Sequence, residues 1–154
     1  MKKFLISITV LGLLAGLAES CKKDECTGKI TISYQTVEDF GGIDCGIIID
    51  EQNKGINYLI DNQVGLESLV ECSTLPDIDF EKYTLLLGSY ESDKDLAYRS
   101  QAVIRDCETM TLTFRISYDS EQKDTSMVVD YHAVIPKIPA EYEVQFEIQT
   151  WQIN

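Results

Sequence analysis

The chain has 154 residues, of which 26 are acidic and 13 are basic, so its formal net charge is −13. This length corresponds to one domain of ordinary size. The charge argues against a nucleic-acid partner and against a polybasic hold on lipid head groups, because both rely on Lys and Arg. Cationic partners stay possible, although solubility at a crowded surface explains the charge more simply.

The first 20 residues have the pattern of a secretory signal peptide. A basic start at residues 2–3 precedes a mostly apolar segment at residues 4–18, which is too short for a comfortable membrane span. The sequence Leu-Ala-Glu-Ser at residues 17–20 then leads into Cys21. This segment resembles a bacterial lipoprotein signal, in which the cysteine is acylated and becomes the first residue of the mature chain. The alternative is a plain signal peptide cut near residue 20.

Two lysines and two acids at residues 22–25 follow Cys21. This arrangement is similar to the export tags of Bacteroidota lipoproteins, in which acidic residues behind the lipidated cysteine direct the protein to the cell surface; a solvated spacer is the alternative. The resemblance implies an outer-membrane protein, lipid-anchored and facing the periplasm or the cell surface. Removing residues 1–20 takes away two lysines and one glutamate, which leaves 11 basic and 25 acidic residues. We expect a tether at residues 21–28 and a single domain at residues 29–154.

Alternation of apolar and polar residues dominates the mature sequence and predicts β-strands with one solvent-exposed face. The alternating segments are residues 30–35, 110–117, 127–135 and 142–149. More continuous apolar runs, which predict strands buried on both faces, occur at residues 45–50, 83–87 and 101–105. Residues 64–70 are a candidate for a short helix. We therefore expect about seven or eight strands, mostly antiparallel, in an all-β sandwich or open barrel.

Four cysteines remain after Cys21, namely Cys26, Cys45, Cys72 and Cys107. An even number in an exported protein predicts two disulfides. Because no CxxC pair occurs and the chain has one histidine, we expect no zinc site. Of the three possible pairings we favour Cys26 with Cys107 and Cys45 with Cys72, the alternative being free, buried thiols.

The sequence predicts no catalytic residues and no cofactor. His132 lies in a predicted strand on the parity opposite Tyr131 and Ala133, and no nucleophile motif such as GxSxG accompanies it. We expect a half-exposed strand histidine. Acidic loops at residues 93–95 and 119–124 leave open whether calcium binds, although they lack the glycine and terminal glutamate of an EF-hand loop.

Aromatic residues are the candidates for a binding surface. Tyrosine and tryptophan supply contact area for proteins and carbohydrates, although strands favour them for packing as well. Tyr90 and Tyr98 bracket a polar loop, and Trp151 falls outside the apolar face of the last strand. We predict these three residues as the candidate binding surface.

The C-terminal half of the chain resembles a known family. Residues 79–88 (Asp-Phe-Glu-Lys-Tyr-Thr-Leu-Leu-Leu-Gly) are followed by strand segments at residues 100–104, 112–114 and 131–137. This order is similar to the C-terminal domain of PrcB-like proteins, a small β-domain linked to a protease-stabilising complex. The family's Gly-Gly-Tyr step is replaced here by Leu-Ala-Tyr-Arg-Ser at residues 96–100. The N-terminal part, with Asp-Cys-Gly at residues 44–46, is similar to small Bacteroidota lipoproteins.

The resemblance implies a non-catalytic role in which the domain binds an envelope protein. Together with the signal peptide, it predicts a lipid-anchored envelope protein that binds a protein or another ligand and is not an enzyme. One alternative is a carboxylate-dependent hydrolase, which needs a deep pocket with converging carboxylates. Another is a purely structural envelope protein. A binding module needs an exposed apolar or aromatic surface.

Overall fold

The computed structural model describes residues 26–48, 55–121 and 126–153. Within these ranges the chain forms nine strands, which are β1 (Lys29–Ile32), β2 (Gly46–Ile47), β3 (Asn57–Ile60), β4 (Val70–Glu71), β5 (Tyr83–Ser92), β6 (Asp95–Asp106), β7 (Thr111–Glu121), β8 (Met127–Pro136) and β9 (Glu143–Gln152). The helical elements there are a 3-10 turn at Glu38–Phe40 and the helix α1 at Gln63–Leu69. The predicted all-β class is confirmed.

Two open sheets form the body of the domain. The first has the strand order β1-β6-β7-β9, and the second has the order β3-β5-β8. Paired neighbours are antiparallel except β7 and β9, which run parallel. A parallel pair cannot be joined by a tight hairpin. Here the chain leaves the first sheet after β7, contributes β8 to the second sheet and returns to the first sheet as β9. Because neither sheet closes, the fold is a sandwich.

The two sheets face each other across an apolar core centred on Phe114. Alternate residues of β7 point inward, and Leu112, Phe114 and Ile116 are at most 2% exposed. The ring of Phe114 meets the rings of Tyr131 on β8 and Phe146 on β9, with centroids 5.9 Å apart in both pairs. This arrangement confirms the parity that the alternating pattern predicts for residues 110–117.

A third layer covers the outer face of the second sheet. Leu85 and Leu87 of β5 pack against a second apolar cluster that includes Val37 beside the 3-10 turn and Leu66 of α1. The short ladder of β2 with β4 belongs to the same layer. Strand β5 is therefore buried on both faces, as the continuous apolar run at residues 83–87 predicts.

The other two continuous apolar runs, at residues 101–105 and 45–50, differ from the strands buried on both faces that the sequence predicts there. On β6, Val103 is fully buried, but the flanking Ala102 and Ile104 are only half-buried because no further layer of the described residues covers the outer face of the first sheet. In the run at residues 45–50, the strand is limited to β2, and residues 49–50 lie outside the described ranges. The short helix considered for residues 64–70 forms as α1 and is capped by the Asn62 side chain, which accepts a hydrogen bond from the Gly65 N–H at 2.8 Å.

Gly88 allows β5 to approach Tyr131 closely. A Cβ atom at this position would lie 2.5 Å from a ring carbon of Tyr131 and 2.6 Å from the side-chain oxygen of Asn57. That oxygen accepts the hydrogen bond of the Tyr131 hydroxyl. Burial raises the pKa of Tyr131 well above its usual range.

Candidate functional site

The two disulfides have the predicted pairing. Cys26 is joined to Cys107 with 5.5 Å between their Cα atoms, and Cys45 is joined to Cys72 with 4.1 Å. The first bridge attaches the start of the described chain to the turn that follows β6. We call this end of the sandwich the tether end; it comprises the start of β1, the end of β6, the start of β7 and the connection from β8 to β9.

The tether end is close in sequence to Cys21, which itself lies outside the described residues. Cys26 follows Cys21 by five positions. Five extended residues span at most about 18 Å. A lipid on Cys21 would therefore hold the tether end near the membrane surface.

A cleft of about 280 Å³ opens at the tether end. Ile30 and Ile32 of β1 and Leu112 of β7 line one side of it, and Ile138 and Tyr142 from the connection between β8 and β9 line the other. These segments lie far apart in the sequence. They meet here because β1 pairs with β6 and β9 pairs with β7.

Arg105 places a positive charge within this apolar cleft. It lies two residues after the buried Val103 on β6 and therefore points toward the same, inner face of the sheet. The carbon at the centre of its guanidinium group lies 5.9 Å from the centroid of the Tyr142 ring. Its Nε atom is buried without a hydrogen-bond partner, and among the described residues Arg105 forms no ion pair. A buried donor left without an acceptor costs roughly 1–3 kcal/mol.

Lys137 adds a second positive charge to the cleft. Its ammonium donates a hydrogen bond to the Phe80 carbonyl oxygen at 3.0 Å, and its own backbone N–H donates to the Lys82 carbonyl. Among the residues that the structure describes, the lining of the cleft includes no acidic residue. In a chain with twice as many acids as bases, this concave surface has the opposite charge to the protein as a whole.

The three aromatic residues predicted as a binding surface do not form one patch. Tyr98 and Trp151 are 60% and 52% exposed, whereas Tyr90 is partly buried against the core between the sheets. Tyr98 lies opposite the buried Tyr118, and their rings meet edge-on with centroids 6.4 Å apart. Tyr98 therefore belongs to the inner face of the first sheet.

Trp151 belongs to the outer face of the same sheet. It is in register with Asp119, the neighbour of Tyr118, and successive residues of a strand point to opposite faces. The guanidinium of Arg99 lies 5.4 Å from the centroid of the Trp151 ring and also pairs with the Asp119 carboxylate at 2.9 Å. Trp151 therefore takes part in a small surface cluster that is separate from Tyr98.

His132 and Asp130 lie on the outer face of the second sheet, beneath the third layer. His132 is half-buried, as expected, and its Nε2 is 3.4 Å from the Glu38 carboxylate. Asp130 accepts a hydrogen bond from the Ile47 N–H at 3.3 Å, and burial raises the pKa of this carboxyl. The cavity beside them measures about 20 Å³, which is room for one water molecule. His132 and Asp130 each contact a residue of the third layer, so their role here is to attach that layer to the second sheet.

In the ranges that the structure describes, no three His, Cys, Asp or Glu side chains converge on a point that could hold a metal ion. Asp119 of the predicted acidic loop is paired with Arg99, and residues 122–125 of that loop lie outside the described ranges. None of the helices in those ranges is both long and apolar enough to cross a bilayer.

Comparison of the chain with protein-family models, curated proteins and solved structures found no match. The resemblance to PrcB-like domains and to Bacteroidota lipoproteins stays a prediction. Function is therefore inferred from the cleft at the tether end.

Sequence reasoning did not identify Arg105 or Tyr142 as site residues. The signal for Arg105 was present, because the alternation through Val103 places a charged residue on the apolar face of its strand. The signal for Tyr142 was absent, since an aromatic residue that starts a strand pattern is usually a packing residue.

Proposed function

We propose that this protein is a lipid-anchored component of the outer membrane that binds a ligand in the cleft at the tether end and catalyses no reaction. The observation that carries the proposal is the cleft, an apolar concavity whose described lining has two cationic side chains and no acidic one. Ligand sites are usually concave and mostly apolar, with a few polar groups that orient the ligand. The cleft lies near the lower end of the usual volume range, so it fits a small molecule or one end of a larger one.

The geometry favours binding over the hydrolase alternative. A hydrolase of this kind would need two carboxylates facing a space large enough for a substrate. The carboxyl of Asp130, whose pKa is raised by burial, faces a cavity that holds a single water molecule. The cleft at the tether end is lined by basic and apolar residues instead. A concavity of about 510 Å³ beside β2 and β4 is lined by Asp44 and Glu71, but it is the more open of the two and encloses a substrate less.

The anchor is tested by the change Cys21→Ser. Because the lipid is attached through the Cys21 sulfur, we expect this variant to accumulate as a precursor or to be released in soluble form. Labelled palmitate should enter the wild-type protein and not the variant. Continued labelling and membrane fractionation of Cys21→Ser would show that the lipid anchor is not at this residue.

Ligand binding is tested by filling the cleft. Ile30 lines the cleft and is 38% exposed, so the change Ile30→Trp should occupy the space without disturbing the core. We expect native mass spectrometry to detect a bound species on wild-type protein incubated with an extract of the envelope, and to detect none on Ile30→Trp.

The matched control for this experiment is Val64→Trp. Val64 lies on α1, far from the cleft lining, and is 76% exposed. This variant should bind the same species as the wild type. A wild-type protein that acquires no bound species, or an equal loss in both variants, would favour a purely structural role.

A further inference from the structure

We infer that the ligand of the cleft at the tether end is an amphipathic anion, a carboxylate or phosphate head carried on an apolar chain. The inference rests on the proposed ligand-binding function and adds the chemical class of the ligand. It is carried by two independent features of the cleft, namely the unpaired donor of Arg105 and the apolar walls on either side of it.

Arg105 supplies the site for the anionic head. A guanidinium carries five N–H donors in a planar fork that matches the oxygens of a carboxylate or a phosphate. Among the described residues, the buried Nε of Arg105 has no acceptor. An oxygen of a bound anion would satisfy this donor, and Lys137, which lines the same cleft, adds a second positive charge.

The walls of the cleft supply the site for the apolar chain. Ile30, Ile32 and Ile138 present side chains that a bound methylene chain would remove from water, and each buried methylene adds affinity. The Tyr142 ring lies beside the guanidinium, where a cation–π contact favours the position of the charge in the cleft. A small inorganic anion would leave these apolar side chains exposed to water, so we expect it to bind more weakly than an anion that carries an apolar chain.

The test compares decanoate with decanol, which share an apolar chain and differ in charge. The protein is the mature chain carrying Cys21→Ser and exported behind an ordinary signal peptide, so that it forms disulfides but carries no lipid. We expect calorimetric titration with monomeric ligand to show decanoate binding about tenfold more tightly than decanol, because the charged head forms hydrogen bonds that the alcohol cannot.

The variant Arg105→Gln should lose about tenfold in decanoate affinity and keep the affinity for decanol. Its control is Arg115→Gln, which removes an arginine from the outer face of the same sheet, where it pairs with Glu147 at 2.8 Å. The control should bind both ligands as the wild type does. Equal binding of decanoate and decanol to the wild type, or equal losses in the two variants, would overturn the inference.

If Arg105→Gln shows no cooperative unfolding, and so is not properly folded, the test uses Lys137→Gln instead. Lys137 is exposed, so its replacement should not disturb folding. We expect this change to weaken decanoate binding by about threefold and to leave decanol binding unchanged. If every folded variant at Arg105 and Lys137 keeps the wild-type affinity for decanoate, the inference is also overturned.

Vesicle flotation distinguishes the two sources of such an anion. If the ligand is a membrane lipid, the unlipidated wild type should float with phosphatidylglycerol vesicles more than with phosphatidylcholine vesicles, and Arg105→Gln should not. If the ligand is a free carboxylate, the protein should bind decanoate and float with neither. A bound species that is lost in Ile30→Trp, without any response to decanoate or vesicles, would refute the anion and leave the proposed ligand-binding function intact.

Discussion

Replacing Phe114 by Ala is expected to lower the free energy of unfolding by about 3–5 kcal/mol, a large part of the stability of a domain of this size. Phe114 is fully buried in the middle of β7 and meets Tyr131 across the core and Phe146 on the neighbouring strand. The two sheets cannot collapse into the space that the ring leaves, because their backbones are held by β pairing. Denaturant unfolding of the disulfide-intact mature chain measures the change.

Thr113→Ala is the control for this experiment. Thr113 is the preceding residue on β7 and lies on the solvent-facing side of the first sheet, in register with Gln145. Because Thr113 is only partly buried and no layer within the described ranges covers that side, we expect a loss below about 1 kcal/mol. Similar losses in the two variants would contradict the assignment of Phe114 to the inner face.

Removal of the Cys26–Cys107 bridge should be the other large perturbation. This bridge spans 81 residues, and in the chain-entropy model a loop of that length stabilises the folded state by about 4.5 kcal/mol. The Cys45–Cys72 bridge spans 27 residues and should contribute about 3.5 kcal/mol. We therefore expect the double change Cys26→Ala with Cys107→Ala to lower the unfolding free energy more than the corresponding change at Cys45 and Cys72.

Peptide mapping without reduction tests the pairing directly. It should recover two cross-linked peptides, one joining Cys26 to Cys107 and one joining Cys45 to Cys72. A peptide that joins Cys26 to Cys45 would contradict the pairing, and four thiols that alkylate without reduction would contradict the disulfides altogether. The unfolding free energies of the cysteine variants must be measured on proteins whose remaining disulfide is fully formed, because a mixture of redox states does not unfold in a two-state transition.

The Cys26–Cys107 bridge also connects the proposed anchor to the proposed site. Cys107 follows Arg105 by two residues, and Cys26 precedes Ile30 of the cleft wall by four. The bridge therefore keeps the start of the described chain and the cleft at the same end of the sandwich. If Cys21 is acylated, the mouth of the cleft is confined within a short distance of the bilayer, where an amphipathic anion is concentrated.

Local patterns in the sequence were sufficient to predict most strands and the side chains that face the core. Alternation through Phe114 marks the inner face of β7, and the continuous run at residues 83–87 marks a strand buried on both faces. These predictions succeed because the period of a strand and the burial of its side chains are set by neighbouring residues along the chain. The signal-peptide pattern, which predicts export, and the even number of cysteines likewise predicted two disulfides.

The sequence pattern could not show which strands are neighbours. The parallel pairing of β7 with β9 depends on the crossover through β8, and the third layer over β5 depends on how residues 37–47 and 60–78 fold back. Alternation assigns a residue to a face but carries no information about what lies opposite that face. Arg105 was therefore recognisable as an inward-facing charge, but it became a candidate site because β1 and the segment around Tyr142 meet beside it. That meeting is a long-range contact, which arises from the packing of the whole sandwich.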